Sequence, residues 1–480
     1  ALLDAGISTD VYSSYETSLY QPVYSIVAKN SNSKEQGRFV SVINDTLEKL
    51  VKDGINERTI EAGINYYEFK YREADYGPYP KGLMYYLTMM DSWLYDETKP
   101  FIHIEAGDTF DELKKDARNG YFEKLIKEYL LDNNHKSIIS LVPEYGLEKE
   151  KEQKEADKLA EYKSTLTNDE LKELVKKTKE LKEYQDAPSS QEELEKIPML
   201  ELSDIKREPA KDYNDVKSVD GIKIVHHNIF TNKIAYINLS FDTKCVPDEL
   251  IPYMGLLGST LSLMDTKNYT YPELTNEINI NCGGLATGTA LYSDKVDFSK
   301  NTIVYEVKSK ALYEKVPFVL GMMEEIMYNT RFDDYKRLKE IIARIKSRLE
   351  ASLMGQGHSI AMLECCAQFS ESAYYSDILR GYKYYEFIKK LDEEFEQNKT
   401  QIVEKLNMLV GYIFNKDNVI ISLTADDEGY DCFAKALSAK SCNIKDEHFN
   451  TAVRSFTPVN VKTGYTSASQ VQYVARCGNF

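Results

Sequence analysis

Residues 302–350 read TIVYEVKSKALYEKVPFVLGMMEEIMYNTRFDDYKRLKEIIARIKSRLE, and residues 24–72 read YSIVAKNSNSKEQGRFVSVINDTLEKLVKDGINERTIEAGINYYEFKYR. Each stretch predicts a β-branched strand, a polar turn, a helix, a break and a second helix. Further along the chain, FEKLIKEYLLDNNHKSIISL (122–141) matches VEKLNMLVGYIFNKDNVIISL (403–423), and both predict a helix followed by a strand. Because the elements recur in the same order, the sequence predicts two copies of one α+β domain.

The second helix of each copy carries apolar residues at helical spacing. In the later copy they are Leu338, Ile341, Ile342, Ile345 and Leu349, and in the earlier copy Ile60, Ile64, Tyr67 and Tyr71. A stripe with this period is typical of a helix that packs one face on a core. We therefore expect both stripes to face the core of an antiparallel-rich sheet that carries its helices on one face.

The later copy is preceded by strands that the earlier copy lacks. GIKIVHHNIFTNKIAYINLSFD (221–242) predicts a β-hairpin with a turn at Thr231 and Asn232, and a helix is expected over roughly 247–264. The next stretch, NINCGGLATGTALY (279–292), parallels LLDAGISTDVYSSY (2–15). We therefore expect residue 1 to lie inside a domain whose first strands and helix are missing. SASQVQYVARCGNF (467–480) predicts the opening strand of a further domain.

A charged segment separates the two copies. Residues 144–186 predict two helices that meet at a T-x-x-E capping box, and a narrow apolar stripe predicts that they pack as an antiparallel hairpin. Residues 186–213 contain three prolines and predict an extended connection. Charge runs are usually solvated spacers, and the alternative is a hinge between two large halves. The hinge candidates are Leu159, Tyr162, Leu166, Thr167, Glu170, Leu171 and Leu174.

Composition restricts the class of protein. The formal charge of −17 argues against a nucleic-acid partner, which requires a basic face. The longest apolar stretch, residues 251–264, has the length of a buried helix, so no membrane partner is expected. The seven cysteines lack C-x-x-C spacing, which favours a soluble protein of the cytoplasm or another reducing compartment over a disulfide framework.

A search for chemistry assigns no catalytic or metal-binding residue and leaves the substrate-binding residues unknown. His226 and His227 are adjacent on a predicted strand, so their side chains should point to opposite faces. Neither H-E-x-x-H nor H-x-x-E-H occurs in the sequence. GHSIA (357–361) lacks the final glycine of G-x-S-x-G and follows a predicted helix. Cys365 and Cys366 lie in an apolar helical stretch and are expected to pack.

Several stretches, taken in order, resemble the insulinase superfamily of zinc metallopeptidases, and particularly its presequence protease and falcilysin-like subfamily. They are LLDAGI near the start, YPKGLMYYLTMMDSWLYD (79–96), NHKSIISLVPE (134–144), IPMLELSDI (197–205), HHNIFTNKIAYINLSFD (226–242), GQGHSIA (355–361) and QVQYVARCGNF (470–480). The resemblance implies four related α+β domains in two halves that close like a clamshell around unfolded peptides. It places the second domain at 1–143, a helical hairpin hinge at 144–210, the third domain at 211–455, and a linker with the first strand of a fourth domain at 456–480.

The same resemblance implies that zinc is held in the first domain, by H-x-x-E-H and a distal Glu that have no matching positions here. We therefore expect an interior fragment that binds no zinc and is inactive alone, within a parent zinc endopeptidase that supplies the missing first and fourth domains. Two alternatives remain open. One is an inactive relative with a structural role, and the other is a peptide-binding module that takes an extended peptide onto a sheet edge.

Overall fold

The computed structural model describes residues 1–480 except 209–210, 212, 298–299, 441–442, 467–470 and 479–480. The chain divides into two compact units. The first comprises Ala1–His135 together with Tyr213–Phe480, and the second is Lys136–Asp212. Among the described residues, no helix combines the length and the apolar character needed to cross a bilayer.

The strands all belong to the first unit. They are β1 (Asp10–Glu16), β2 (Val23–Lys29), β3 (Asp215–Val219), β4 (Ile222–Asn228), β5 (Ile234–Asp242), β6 (Leu285–Ser293), β7 (Asn301–Leu312) and β8 (Val419–Ala425). Strands β1 and β2 form a two-stranded antiparallel sheet. The other six form one sheet in the order β3-β4-β8-β5-β7-β6, in which only β4 and β8 run parallel.

The helices of the earlier part of the chain are α1 (Gln36–Asp53), α2 (Glu57–Glu73), α3 (Lys81–Trp93), α4 (Gly107–Asp116), α5 (Tyr121–Leu125), α6 (Leu147–Thr165), α7 (Asn168–Asp186) and α8 (Gln191–Leu194). A π-helical turn, Ile126–Leu131, extends α5. The later helices are α9 (Ile251–Thr260), α10 (Tyr271–Asn281), α11 (Val316–Tyr328), α12 (Tyr335–Gly355), α13 (Gly357–Cys366), α14 (Glu371–Arg380), α15 (Tyr382–Glu393), α16 (Phe395–Ile413) and α17 (Asp427–Ser438). The fold is α+β, as predicted.

The predicted internal repeat is visible in the element order. Strands β1 and β2 lead through a short 3₁₀ turn into α1 and α2, and strands β6 and β7 lead through an equivalent turn into α11 and α12. In the later copy the predicted stripe is confirmed, since Leu338, Ile341 and Ile342 are fully buried and Ile345 and Leu349 pack against the core. Both copies therefore share one local plan.

The core lies between the six-stranded sheet and the helices of the later copy. Along β5, Ala235, Ile237, Leu239 and Phe241 alternate with partly exposed residues and are buried, as the sequence pattern predicts. Phe414, at the end of α16, packs edge-on against both Phe241 and Tyr305. The opposite face is more polar but is also partly covered, since Glu306 of β7 is buried there and accepts hydrogen bonds from Asn238 (2.8 Å) and Tyr292 (2.9 Å).

The predicted hairpin over 221–242 is wrong. Both strands form, but β8 lies between them, parallel to β4 and antiparallel to β5. Leu423 of β8 pairs with His226 on one side and Ile237 on the other. The partners of β4 and β5 are decided by β8, which lies about 180 residues further along the sequence. A local turn pattern carries no information about so distant a strand.

Three further expectations fail. Tyr67 and Tyr71 of the earlier stripe are exposed, although Ile64 is buried. Residues 138–141 form no strand, and Leu141 is 93% exposed. Residues 471–478, the described part of the predicted opening strand, also form none. A strand needs a partner for its backbone groups, and these two stretches pair with no strand in the described part of the chain.

Candidate functional sites

The linker helices α6 and α7 begin and end where the sequence predicts. Thr167 caps α7 by accepting a hydrogen bond from the Glu170 N–H (3.3 Å), and the Glu170 carboxylate accepts one from the Thr167 N–H (2.8 Å). This reciprocal pair is the capping box, and it holds the pKa of the Glu170 carboxyl below its usual value through the Thr167 backbone and side-chain hydrogen bonds. The junction between the two helices is therefore fixed locally.

The predicted packing of α6 on α7 is not found. The two helices, which are described throughout, do not pack along their length. Their apolar stripe is largely exposed, with Leu159, Tyr162 and Leu174 between 47% and 59% accessible. Only Leu166 and Leu171, next to the capping box, are partly covered. The structure thus provides two helices, the second with a capping box, and an exposed apolar stripe rather than a closed hairpin.

A contact surface joins the two copies inside the first unit, where α2 of the earlier copy packs on α10 of the later one. Arg58 and Glu277 form an ion pair across it, and the Asn276 amide donates to Thr59 Oγ1 (3.0 Å). We call this α2–α10 surface, with the polar residues at its end, the seam. The seam is polar at its rim, as expected for a contact between two domain-like bodies.

A buried ion pair closes the seam at the C-terminal end of α2. Lys310, on β7, donates to both carboxylate oxygens of Glu73 (2.7 and 2.6 Å), and the Glu73 side chain is only 4% exposed. Asp75 lies 3.9 Å from the same ammonium. Tyr236 of β5 lies beside this group, and burial, followed by the Glu73 charge, raises its pKa. Such a desolvated pair is costly to break from one side only.

Close packing of backbone and ring accompanies the ion pair. A Cβ atom placed on Gly283 would lie 2.1 Å from the ring of Phe69, which projects from α2. The position therefore requires a residue without a side chain, for reasons of space and not of backbone conformation. No sequence motif indicates this contact, because Phe69 lies in the other copy.

The residues singled out for chemistry remain apart. His226 is fully buried and its Nε2 lies 2.9 Å from the Ala425 carbonyl oxygen, whereas His227 contacts Ser422 Oγ (3.0 Å) on the other face. The two side chains therefore point to opposite faces, as predicted. Helix α13 begins at Gly357, shortly after α12 ends at Gly355, so GHSIA does follow a helix.

One cluster of potential metal ligands occurs in the described part of the chain. It consists of Asp417, Asp446 and His448, whose ligand atoms lie within 4.8 Å of one another. All three residues are exposed, and the His448 imidazole already contacts the Asp417 carboxylate. Nothing further at this surface points to a cation.

A second polar site lies under the trailing segment, by which we mean residues 449–466 and 471–478. The Gln368 side chain bonds both backbone groups of Val461, donating to its carbonyl (2.8 Å) and accepting from its N–H (2.7 Å). Beyond this point Tyr465 donates to Glu364 of α13 (3.0 Å), and its ring lies 4.2 Å from that of Tyr382. The segment has no regular secondary structure and is held by these side chains.

Glu364 shares its site with a second carboxyl group. Asp377 of α14 is fully buried and accepts the backbone N–H of Lys383 (3.2 Å), whose ammonium lies 3.2 Å from the other carboxylate oxygen. Glu364 Oε1 is buried without a hydrogen bond, and Asp377 Oδ2 is buried with the Lys383 ammonium as its ionic partner. Burial and the neighbouring Asp377 raise the pKa of Glu364 to about 7, against the opposing effects of Tyr465 and Lys383. Glu364 is thus poised to hold a proton near neutral pH.

The chain belongs to the family of segments associated with peptidase family M16, subfamily C, whose pattern matches residues 141–391. The matched stretch is more than half of the chain and runs from the linker into the helices of the later copy. This family match agrees with the insulinase-superfamily resemblance that the sequence predicted.

The relatives extend the match over the whole chain. Protein HypA of Clostridium perfringens is 36% identical over 480 residues, which are 100% of this chain and 49% of that protein. Presequence protease 1 of Arabidopsis thaliana, chloroplastic/mitochondrial, is 27% identical over 100% of this chain and 45% of its own. A solved peptidase M16 inactive domain from Pseudomonas fluorescens aligns over 51% of this chain and 54% of its own, with 15% identity and a TM-score of 0.34. The chain thus spans about half the length of the curated relatives it matches.

Proposed function

We propose that this chain is the non-catalytic middle region of a zinc-dependent endopeptidase that encloses and degrades unfolded peptides. The observation that carries the proposal is the match of this whole chain to 45% of a relative named presequence protease, together with the family match over 141–391. The absence of H-x-x-E-H from the sequence supports a role other than catalysis, because two histidines on one helix face and a glutamate base are required for that zinc chemistry.

In this proposal the chain supplies part of the chamber wall and the connection between its halves. Residues 144–210 are the hinge, 1–143 belong to the half before it, and 211–455 to the half after it. The seam would be a contact that forms when the halves close. Its Lys310–Glu73 pair suits such a role, since the Glu73 carboxylate is buried beside a cation there and would be left unpaired without it.

The test uses the longer protein that contains this sequence. Purified protein is assayed for tightly bound zinc and for cleavage of a fluorogenic unfolded peptide, with and without a chelator. The proposal expects about one zinc per chain, held by residues outside the present sequence, and chelator-sensitive cleavage. The matched sample is the 480-residue chain, for which neither is expected. A longer protein without zinc or cleavage would instead be an inactive relative with a structural or peptide-binding role.

A further inference from the structure

The last part of the trailing segment lies along helix α13 and brings cysteines together. The Cys365 thiol contacts the Ala475 carbonyl oxygen at 3.8 Å, and the Cys477 thiol contacts the Met362 carbonyl oxygen at 3.9 Å. These reciprocal contacts hold residues 475–477 against the C-terminal half of α13. Cys366, the next residue along the helix, also lies within reach of Cys477.

The trailing segment also makes an aromatic contact with the N-terminal end of α13. Tyr473 lies over Gly357, where a Cβ atom would approach its ring to 2.7 Å, and its ring centroid is 5.7 Å from that of His358. The position of Cys477 is therefore supported by contacts other than its own. This matters because a disulfide forms readily only where the backbone already holds its two cysteines close.

The three thiols are free and partly exposed. A hydrogen bond with Cys366, followed by burial, raises the pKa of the Cys477 thiol, and burial followed by the Cys477 thiol raises that of Cys365. The Cys365 and Cys477 thiols are thus less readily ionised, which slows their oxidation. Their reaction with a disulfide reagent should accelerate as the pH is raised, because the thiolate is the attacking species.

We propose that Cys477 and the adjacent pair Cys365–Cys366 form a reversible disulfide site that fastens the trailing segment to helix α13. The oxidant is a small disulfide such as oxidised glutathione. The Cys477 thiolate attacks one sulfur of the reagent and releases one reduced molecule, leaving a mixed disulfide. The thiolate of Cys365 or Cys366 then attacks the Cys477 sulfur and releases the second reduced molecule. Two protein thiols are oxidised and one reagent disulfide is reduced.

Unlike a structural disulfide, this link would control whether the trailing segment can detach from α13. The trailing segment has no regular secondary structure, and side-chain hydrogen bonds and ring contacts tie it to the later copy. Such contacts open and close, whereas a covalent link does not. Oxidation would therefore convert a segment that can detach into one that is fixed on α13, and a thiol reductant would reverse the change.

The experiment uses the whole 480-residue chain, reduced and then incubated with oxidised glutathione at about pH 8.5, near the ordinary thiol pKa. Trypsin cleaves after Arg348, Arg380 and Arg476, so the adjacent cysteines lie in peptide 349–380 and Cys477 lies in peptide 477–480. We expect these two peptides to be joined, with a loss of about 2 Da from the intact chain. The link should be absent in Cys477→Ser.

Further variants identify which cysteines form the link with Cys477. A chain with both Cys365→Ser and Cys366→Ser should lose the link, whereas Cys432→Ser, which removes a partly exposed thiol on α17, should retain it. The link should form about tenfold faster in the native chain than in urea, because the fold raises the effective concentration of the thiols. Reduction should restore rapid trypsin cleavage after Lys462.

Other outcomes overturn the proposal. They are a Cys365–Cys366 link without Cys477, links between two chains, a glutathione adduct that persists at Cys477, and equal rates of linking in the native and urea-unfolded chain. Circular dichroism of each variant before oxidation establishes that it is folded, so a missing link reports on the thiols and not on loss of structure.

Discussion

Replacing Glu364 by Gln should make the region around α13 more stable at alkaline pH and leave it nearly unchanged at acid pH. Glutamine keeps the size of the side chain and an oxygen that can accept from Tyr465, but it cannot ionise. The wild-type carboxyl faces the buried Asp377 carboxyl, with Lys383 as the nearest cation. The substitution therefore removes one titrating group from a coupled site while preserving its packing.

The sign follows from the direction of the pKa change. In the folded chain the pKa of Glu364 is raised from 4.5 to about 7. Below pH 4.5 the group is protonated in both states and has no effect on stability. Between 4.5 and about 7 the unfolded state ionises first, so stability falls as the pH rises, and above about 7 the whole loss is present. At about 1.36 kcal/mol per pH unit, the loss is at most about 3 kcal/mol, and solvent screening of this partly exposed side chain reduces it.

The assay is amide hydrogen exchange of peptides from α13 and α14, because a chain of this size need not unfold in one step. Wild type and Glu364→Gln are compared from about pH 3.5 to about pH 8.5, a range that brackets both pKa values. Comparing the two chains at the same pH cancels the intrinsic dependence of exchange on pH. Glu386→Gln, which neutralises an exposed carboxylate on α15, is the matched control and should show no pH-dependent gain.

Two results would refute the reasoning. One is a difference between Glu364→Gln and wild type that is the same at every pH. The other is a difference that grows toward acid pH, which would mean that the folded state stabilises the charged carboxylate.

Three further predictions concern the seam and the linker. Lys310→Met leaves Glu73 buried and unpaired and should cost about 3 kcal/mol of stability by urea unfolding, whereas the double change with Glu73→Gln should cost clearly less than the sum of the single changes. Additive costs would contradict a direct pair. Gly283→Ala should cost about 1–3 kcal/mol through its contact with Phe69, and Phe69→Ala in the same chain should remove the clash. Thr167→Ala should speed amide exchange in the first turn of α7 about fivefold, for a cap worth about 1 kcal/mol; unchanged exchange would show that the cap is dispensable.

How much could be predicted from the sequence depended on how far apart the deciding residues lie. The capping box at Thr167 and Glu170 spans three positions and is found as predicted. The alternation along β5 is equally local, and its buried face is correct. The β4–β5 hairpin was also inferred from local pattern, yet β8 takes the place between the two strands. Hydrophobic alternation identifies a strand and the face it buries, but not its neighbours in the sheet.

The same limit explains which site residues were missed. Glu364 and Tyr465 are about a hundred residues apart, and Glu73 and Lys310 more than two hundred. None belongs to a recognised motif. Each is brought to its buried partner only when the chain folds. A charged residue inside an apolar helical stretch was the one available signal, and Glu364 within IAMLECCAQF carries it.

The linker shows the difference between forming a helix and packing it. Both α6 and α7 hold charged pairs at i and i+4, such as Glu150 with Lys154 and Glu173 with Lys177, and pairs at this spacing favour an isolated helix. With a capping box at their junction, helices of 19 residues can persist without a partner. The apolar stripe is then not needed to form them. Because the folded helices leave that stripe exposed, changes such as Leu174→Ser should preserve the helical content of the linker. Far-ultraviolet circular dichroism of a chain whose stripe residues are replaced in this way would test the prediction. A large loss of helix would show that the stripe is covered in solution and that packing, not local sequence, holds the linker together.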